Sequence, residues 1–378
     1  MKIVIAPDSF KGSLTAVEAV EAMACGVLSA MPEAEIVKIP LADGGEGTVD
    51  VLVASLGGVI CECDVKNPLG DIIRAKYGMI NTPNGVTAVV AVAEASGLIL
   101  VAEGERDALL ASSYGTGQLI KHALDRGCRD FIIGLGGSAT TDAGKGLLEV
   151  LGVKFYDENG IELSQGGGSL SALSKIDSSG IDKRIGESRF MVMCDVENPL
   201  HGEDGAAYVF SPQKGATPEE VVLLDEGLCR YADCIKTDLG LDISKSRGGG
   251  AAGGIGASMV AFFGAKLRSG IDVVLDLVGF DKSLTGADVV LTGEGKLDEQ
   301  TLMGKLPLGI LHRATQQRVP VVAFGGVVHS KKDLLKAGFV AVECINPEGI
   351  TSADAMKKNT ATANLERAVY EYLKGSEL

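Results

Sequence analysis

The chain has 378 residues, enough at about 150 per domain for two domains. It is 46% apolar and 22% charged, which supplies large buried cores and excludes a mostly disordered chain. Thirty-five basic against 50 acidic residues give a formal charge of −15. Without a long basic stripe, that balance speaks against a nucleic-acid scaffold or an anionic-membrane binder. With no Trp and 4% aromatics, base-stacking platforms are not expected either.

Residues 2–6 (KIVIA) read as a buried strand: short, β-branched and ended by Pro7. The apolar run is too short for a secretory signal, and no window approaches a membrane span. Thr15 and Glu18 have capping-box spacing and open a predicted helix to about residue 30, its apolar face carried by Val17, Val20, Met23 and Val27. Residues 36–39 form a second strand, 43–48 (DGGEGT) a loop and 49–56 a helix closed by Gly57 and Gly58. This β-loop-α-β-loop-α order indicates a parallel sheet with functional loops at the strand carboxyl ends.

From 59 to about 100 the texture changes. Residues 59–65 and 72–79 alternate like antiparallel strands joined by a turn at 67–70 (NPLG), and 86–92 continues the sheet. A helix is expected at 116–125 and a buried strand at 130–133. The glycine-rich run 134–146 then leads into a helix at 147–151. Later strands are expected at 190–193, at 288–291 ending in TGEG, and at 319–323 ending in Gly325 and Gly326. Because the βα texture returns after about 284, residues 1–60 and 284–378 are expected to form one discontinuous Rossmann- or flavodoxin-like domain. A mixed α/β domain, 61–283, is inserted into it.

The 51 glycines are gathered in clusters, as expected where backbone approaches a ligand closely. Residues 134–139 (GLGGSA) formally match G-x-G-x-x-G/A, yet continue as TTDAGKG. Hydroxyls, a carboxylate and an ammonium within seven residues suit phosphate and metal better than nicotinamide, and the run is not a Walker A loop. A plain structural turn is the alternative. In 8–13 (DSFKGS), Lys11 offers charge and Asp8 a metal ligand or base; the bland reading makes Asp8 and Ser13 helix-entry groups. Asp43 and Glu46 offer oxygen to a hard cation or simply complement a helix dipole. In 194–199 (CDVENP), Asp195 is placed to accept a hydroxyl proton and Asn198 to hold a metal or substrate oxygen, while Cys194 reads as a buried apolar residue. The glycines at 248–256 read as a mobile loop over phosphates or between domains. In 292–305, Lys296 and Lys305 bring two charges and Glu294 and Asp298 two hard oxygens; a surface hairpin would also accept them. The eight cysteines are scattered, which argues for reduced thiols and a cytoplasmic setting rather than zinc.

Taken together, the segments IAPDSFKGSLTA (5–16), PLADGGEGT (40–48), GLGGSATTDAGKG (134–146), CDVENPL (194–200), SPQKGAT (211–217), AAGGIGA (251–257) and TGEGKLDEQTLMGK (292–305) resemble one family, the type I glycerate kinases. The resemblance implies two α/β domains with a deep cleft between them, ATP with Mg²⁺, and transfer of the γ-phosphate to D-glycerate to give 2-phosphoglycerate or 3-phosphoglycerate. It leaves a monomer or homodimer open.

On that reading Gly134, Gly136, Gly137, Ser138, Thr140, Thr141 and Lys145 hold nucleotide phosphates, together with Gly253, Gly254, Gly293 and Gly295. Lys11 and Lys296 stabilise the transferring charge. Ser9, Ser13, Asn198 and Lys305 face the acid. Asp43, Glu46, Asp142 and Asp298 face the metal, and Asp195, then Asp8, is the general base. The rival classes are a nicotinamide-dependent oxidoreductase of a small hydroxy acid and a non-catalytic small-acid sensor.

Overall fold

The computed structural model describes residues 1–376 apart from Asp43, Glu46, Pro83 and Asn84 and the side chain of Met303. The two expected metal ligands Asp43 and Glu46 therefore lie outside the described residues. The strands run in chain order as β1 (Lys2–Ile5), β2 (Glu35–Lys38), β3 (Val59–Lys66), β4 (Ile72–Thr82), β5 (Gly85–Ala91), β6 (Asp130–Gly134), β7 (Lys154–Tyr156) and β8 (Lys175–Asp177). They continue as β9 (Arg189–Met193), β10 (Lys266–Arg268), β11 (Val289–Leu297), β12 (Val321–Val328) and β13 (Ala341–Cys344). Contacts divide the chain into two compact units. The first is Met1–Asp43, Ala54–Leu56 and Ile271–Leu378; the second is Gly44–Val53 and Gly57–Gly270.

In the first unit a parallel sheet runs in the order β13-β12-β11-β1-β2. Ile3, Val4 and Ile5 are all fully buried, as an unbroken β-branched run requires when both faces of a sheet are covered. On one face Ile3, Ile5, Val289, Leu291 and Phe324 meet Val20, Met23 and Val27 of the helix Ala16–Ala30 and Leu365 and Val369 of the helix Lys358–Gly375. Residues of the opposite parity, Val4, Val290 and Val321, are equally buried, and the helix Leu306–Gln316 packs on β11 and β12. The predicted capping box forms: Thr15 Oγ1 accepts from the Glu18 amide (3.2 Å) and Glu18 Oε2 from the Thr15 amide (2.9 Å). Val17, expected on the packed face, is instead 39% exposed. Ala16, Ala19 and Gly26 join Val20, Met23 and Val27 on the packed face, and the missing side chain of Gly26 lets the Val369 side chain approach.

Two strands run past the glycines expected to end them. β11 continues through the TGEGKL motif to Leu297, with Gly293 opposite Phe324 and Lys296 opposite Val327. The glycines permit this. A Cβ at Gly293 would lie 2.5 Å from the Phe324 carbonyl oxygen, and one at Gly326 would lie 2.7 Å from that of Gly295. Residues 271–283, expected in the inserted domain, group with the chain ends. Ile271 lies where a Gly309 side chain would be, and Arg313 pairs with Asp272, Asp276 and Asp281.

The second unit is built on a mixed sheet, β10-β9-β6-β5-β4-β3, parallel from β10 to β5 and antiparallel beyond. Its core joins Val90, Ile133, Leu147, Phe155, Val192 and Tyr231. β7 and β8 form a separate antiparallel pair. The run 248–256, read from sequence as a mobile loop, is a buried turn (Ala251–Gly254) that enters the helix Ile255–Phe263.

Candidate active site

In the first unit the loop after β1 is folded back by its own turn. Phe10, 2% exposed, anchors it; the Phe10 amide bonds to Leu14 O (2.9 Å), and Gly12 at φ +79° completes the reversal. The Asp8 amide reaches Gly293 O (2.9 Å), which ties this loop to β11. Asp8 Oδ1 accepts from the Ser9 amide (2.6 Å), and Ser13 Oγ is turned inward to Phe10 O (2.8 Å). Lys11 stands at the exposed tip. Together with Ser9 and Ser13, the groups Asp8, Lys11, Glu294, Lys296 and Lys305 line a cavity of about 690 Å³.

Three ammonium groups and two carboxylates thus meet at the carboxyl ends of β1 and β11. Numbered within the unit, the strand order is 2-1-3-4-5, and these two strands flank the point where the order reverses, the usual ligand position of open α/β sheets. The charges are held by their neighbours. Thr301 Oγ1 donates to Glu294 Oε1 (2.7 Å), and Lys305 Nζ stands 3.9 Å from Glu294 Oε2. Lys296 pairs with Asp298 at 2.7 Å, and that ammonium holds the Asp298 carboxyl below its ordinary range. Asp298 also caps the turn Glu299–Met303 through the Gln300 amide (2.9 Å). A Cβ at Gly295 would meet the Lys11 amide nitrogen at 3.3 Å. Gly293 and Gly295 therefore serve close packing of backbone.

In the second unit five of the quoted motifs converge. A Cβ on Gly136 would lie 2.8 Å from Gly45 Cα, one on Gly44 would lie 3.1 Å from Met193 Cβ, and one on Gly248 would lie 2.9 Å from Cys194 Sγ. Ala143 donates to Gly253 O (2.9 Å) and Gly250 to Asn198 O (2.9 Å). Gly253 (φ +65°) and Gly254 (φ +98°) are buried against the backbone of 140–143; their lack of a side chain is a packing requirement and leaves no space for a phosphate between them and that backbone. Gly136 and Gly137, by contrast, are exposed. The amides of Gly136, Gly137 and Ser138 find no acceptor among the described residues, so this turn presents three backbone donors, as anion-binding turns do.

Beneath that turn lies Lys214, 3% exposed, a residue that motif reading passed over although SPQKGAT was in view. Its Nζ donates to Thr140 O (2.6 Å) and Ser138 Oγ (3.2 Å). Burial pushes its pKa down to about 7, against the pull of Asp142. Thr141 shares a hydrogen bond with Ser211 (2.9 Å), and the buried Thr140 hydroxyl has no hydrogen-bond partner among the described residues.

Two expected ligand residues are spent inside the protein. Asp142, fully buried, accepts from the amide and hydroxyl of Ser113 (both 2.8 Å) and from the amides of Gly144 (3.0 Å) and Gly146 (3.2 Å). It organises the turn and has little left for a metal. Lys145, 1% exposed, pairs with Glu149 (2.5 Å), donates to Ser164 O (2.8 Å) and lies 5.8 Å from the Phe155 ring centroid. The helix after GLGGSA starts only at Lys145, so the dinucleotide fingerprint, which needs the helix N-terminus at the turn, is formal only.

Asp195 is exposed at the end of β9, and its Oδ1 accepts from the Gly270 amide (2.9 Å). Asn198 donates to Asp204 O (2.8 Å). Burial raises the Cys194 pKa, which keeps the thiol protonated. Among the described residues no three His, Cys, Asp or Glu side chains gather as a metal site, and no helix is long and apolar enough to cross a membrane.

The profile described as the glycerate kinase family matches residues 3–374. The chain is 45% identical over 358 residues to a glycerate kinase of Bacillus subtilis (strain 168), covering 94% of this chain and 93% of that protein. It is 45% identical over 326 residues to the glycerate 2-kinase of Escherichia coli (strain K12), covering 86% and 85%. A solved chain from Salmonella typhimurium LT2 assigned to glycerate kinase 2 superposes with a TM-score of 0.87 at 43% identity, covering 99% of this chain and 97% of that one.

Proposed function

The chain belongs to the glycerate kinase family, and from that premise we propose that it transfers the γ-phosphate of ATP to D-glycerate, giving 2-phosphoglycerate. The observation that carries the reading is the cavity holding Lys11, Lys296 and Lys305 with Asp8 and Glu294. Phosphoryl transfer asks for positioning and charge neutralisation more than for covalent help, and a cluster of ammonium groups supplies that.

Lys11, Lys296 and Lys305 neutralise charge on the transferring group, with Ser9 and Ser13 beside them. Asp195 takes the proton of the acceptor hydroxyl; Asp8 is the second candidate. A carboxylate of ordinary basicity suffices, because the proton leaves late in a loose transition state. The amides of 136–138 receive an anionic oxygen of the substrate, with Asn198 on the neighbouring segment. Mg²⁺ is bound in kinases by one or two carboxylates together with phosphate oxygens, and Asp8 and Glu294, two carboxylates that line one cavity, are the residues that would hold it there. When bound there it would neutralise phosphate charge. We also place the reaction in the cytoplasm, carried out by a monomer or homodimer.

The test is coupled ADP release with D-glycerate, L-glycerate, tartronate and glycerol, followed by NMR of the product. D-glycerate should give the largest kcat/KM and a phosphate on the 2-hydroxyl. Equal ADP release without any acceptor, or a clear preference for glycerol, would overturn the reading.

A further inference from the structure

The cavity of the first unit is larger than a three-carbon acid needs. Its volume, about 690 Å³, lies in the middle of the range that holds drug-sized ligands. Lys11, Lys296 and Lys305 line it. Interleaved with them are apolar side chains, Val327 and Val328 at the end of β12, Ile345 after β13, and Ile350 and Met356 beyond; Val327 is paired with Lys296 across the sheet and Met356 lies against Gly12, next to Lys11. Val327 is 45% and Met356 50% exposed, so two large apolar side chains stand uncovered in one concave surface. Isolated exposed apolar residues need no explanation, but a concave apolar wall next to convergent charges is the mark of a binding pocket.

The polar fittings of that wall are preset. Asn346 donates to Gly326 O (2.8 Å) and accepts from Asn364 Nδ2 (2.9 Å), which fixes the segment between β13 and the last helix. The competing location, the late glycine turn of the second unit, is filled by its own backbone at Gly253 and Gly254. From these observations we infer that this cavity is the nucleoside site: the adenosine of ATP lies on the exposed aliphatic side chains of Val327 and Met356, and its phosphates are held by Lys11, Lys296 and Lys305 beside them. The base is held between aliphatic side chains, in keeping with a chain that has few aromatic residues. The inference rests on the kinase reading above and assigns the nucleotide to one unit of it.

Val327→Glu and Met356→Glu place a carboxylate on the wall without burying it. Each should raise the KM for ATP at least tenfold and leave the KM for D-glycerate within twofold. Val340→Glu, at a side chain 53% exposed outside the cavity, should change neither. In the unaltered enzyme, 8-azido-ATP under ultraviolet light should label the stretch 321–361, with protection by ATP. An unchanged KM for ATP in both wall variants, or labelling confined to 134–146 or 248–256, would overturn the inference. Loss of glycerate-dependent ADP release in the unaltered enzyme would instead count against the kinase reading.

Discussion

The ammonium of Lys214 lies 2.6 Å from the carbonyl oxygen of Thr140, in a fully buried position under the exposed Gly136–Gly137 turn. A buried cation without a matching anion in contact is costly unless its donors are satisfied. Here two oxygens of the turn itself satisfy them, so the lysine and the turn hold each other in place.

Burial lowers the Lys214 pKa from 10.5 to about 7, and this fixes the sign of a stability effect. Between those values the unfolded chain carries a proton that the folded chain does not, so this group's contribution to stability rises with pH from about 7 to about 10. Lys214→Met removes the linkage. Thermal unfolding of both proteins from pH 6 to 10 should show the unaltered protein gaining on the variant as pH rises. Parallel curves would refute this account.

Asp195→Asn should lower kcat by roughly 10²–10⁴-fold, the usual worth of a general base, while ATP affinity measured by calorimetry stays nearly constant. Asp8→Asn is its counterpart in the cavity of the first unit. If Asp8→Asn showed the large loss and Asp195→Asn turned over normally, the base would be reassigned to Asp8.

The motif around Lys145 suggests a phosphate ligand, yet its donors are taken by Glu149 and Ser164. Lys145→Met should therefore destabilise the protein by about 1–3 kcal/mol, the cost of leaving polar partners behind. The lower end is expected because Glu149 is partly exposed. The KM for ATP should stay within twofold; a tenfold rise would restore the phosphate role.

Gly253→Ala puts a side chain onto the Thr140 carbonyl at φ +65°. Left-handed backbone strain alone costs about 1–3 kcal/mol, and the overlap adds to it. A fall in Tm of several degrees is expected by calorimetry. Gly186→Ala, at a φ of −65° with its nearest neighbour 3.6 Å from the added Cβ, should leave Tm within a degree or two. Equal Tm values for the two variants would show that the late glycine turn is not the packed element described.

The chain sequence determined the elements and the motif set, because these depend on neighbours a few residues apart. The β-branched run of β1, the capping box at Thr15, and the antiparallel hairpin of β3 and β4 were all legible, and so was the family resemblance. The roles of individual polar and glycine residues were not legible, because they depend on contacts across long separations. Lys214 meets Thr140 from 74 positions away, and Gly253 meets Thr140 across more than 100. Asp142 looked like a metal ligand until Ser113 was seen to use its oxygens. The apolar wall of Val327 and Met356 carries no motif, since aliphatic residues that line a cavity and those that fill a core are the same letters. Only the tertiary structure, by showing which of them remain uncovered beside the lysines, separates the two.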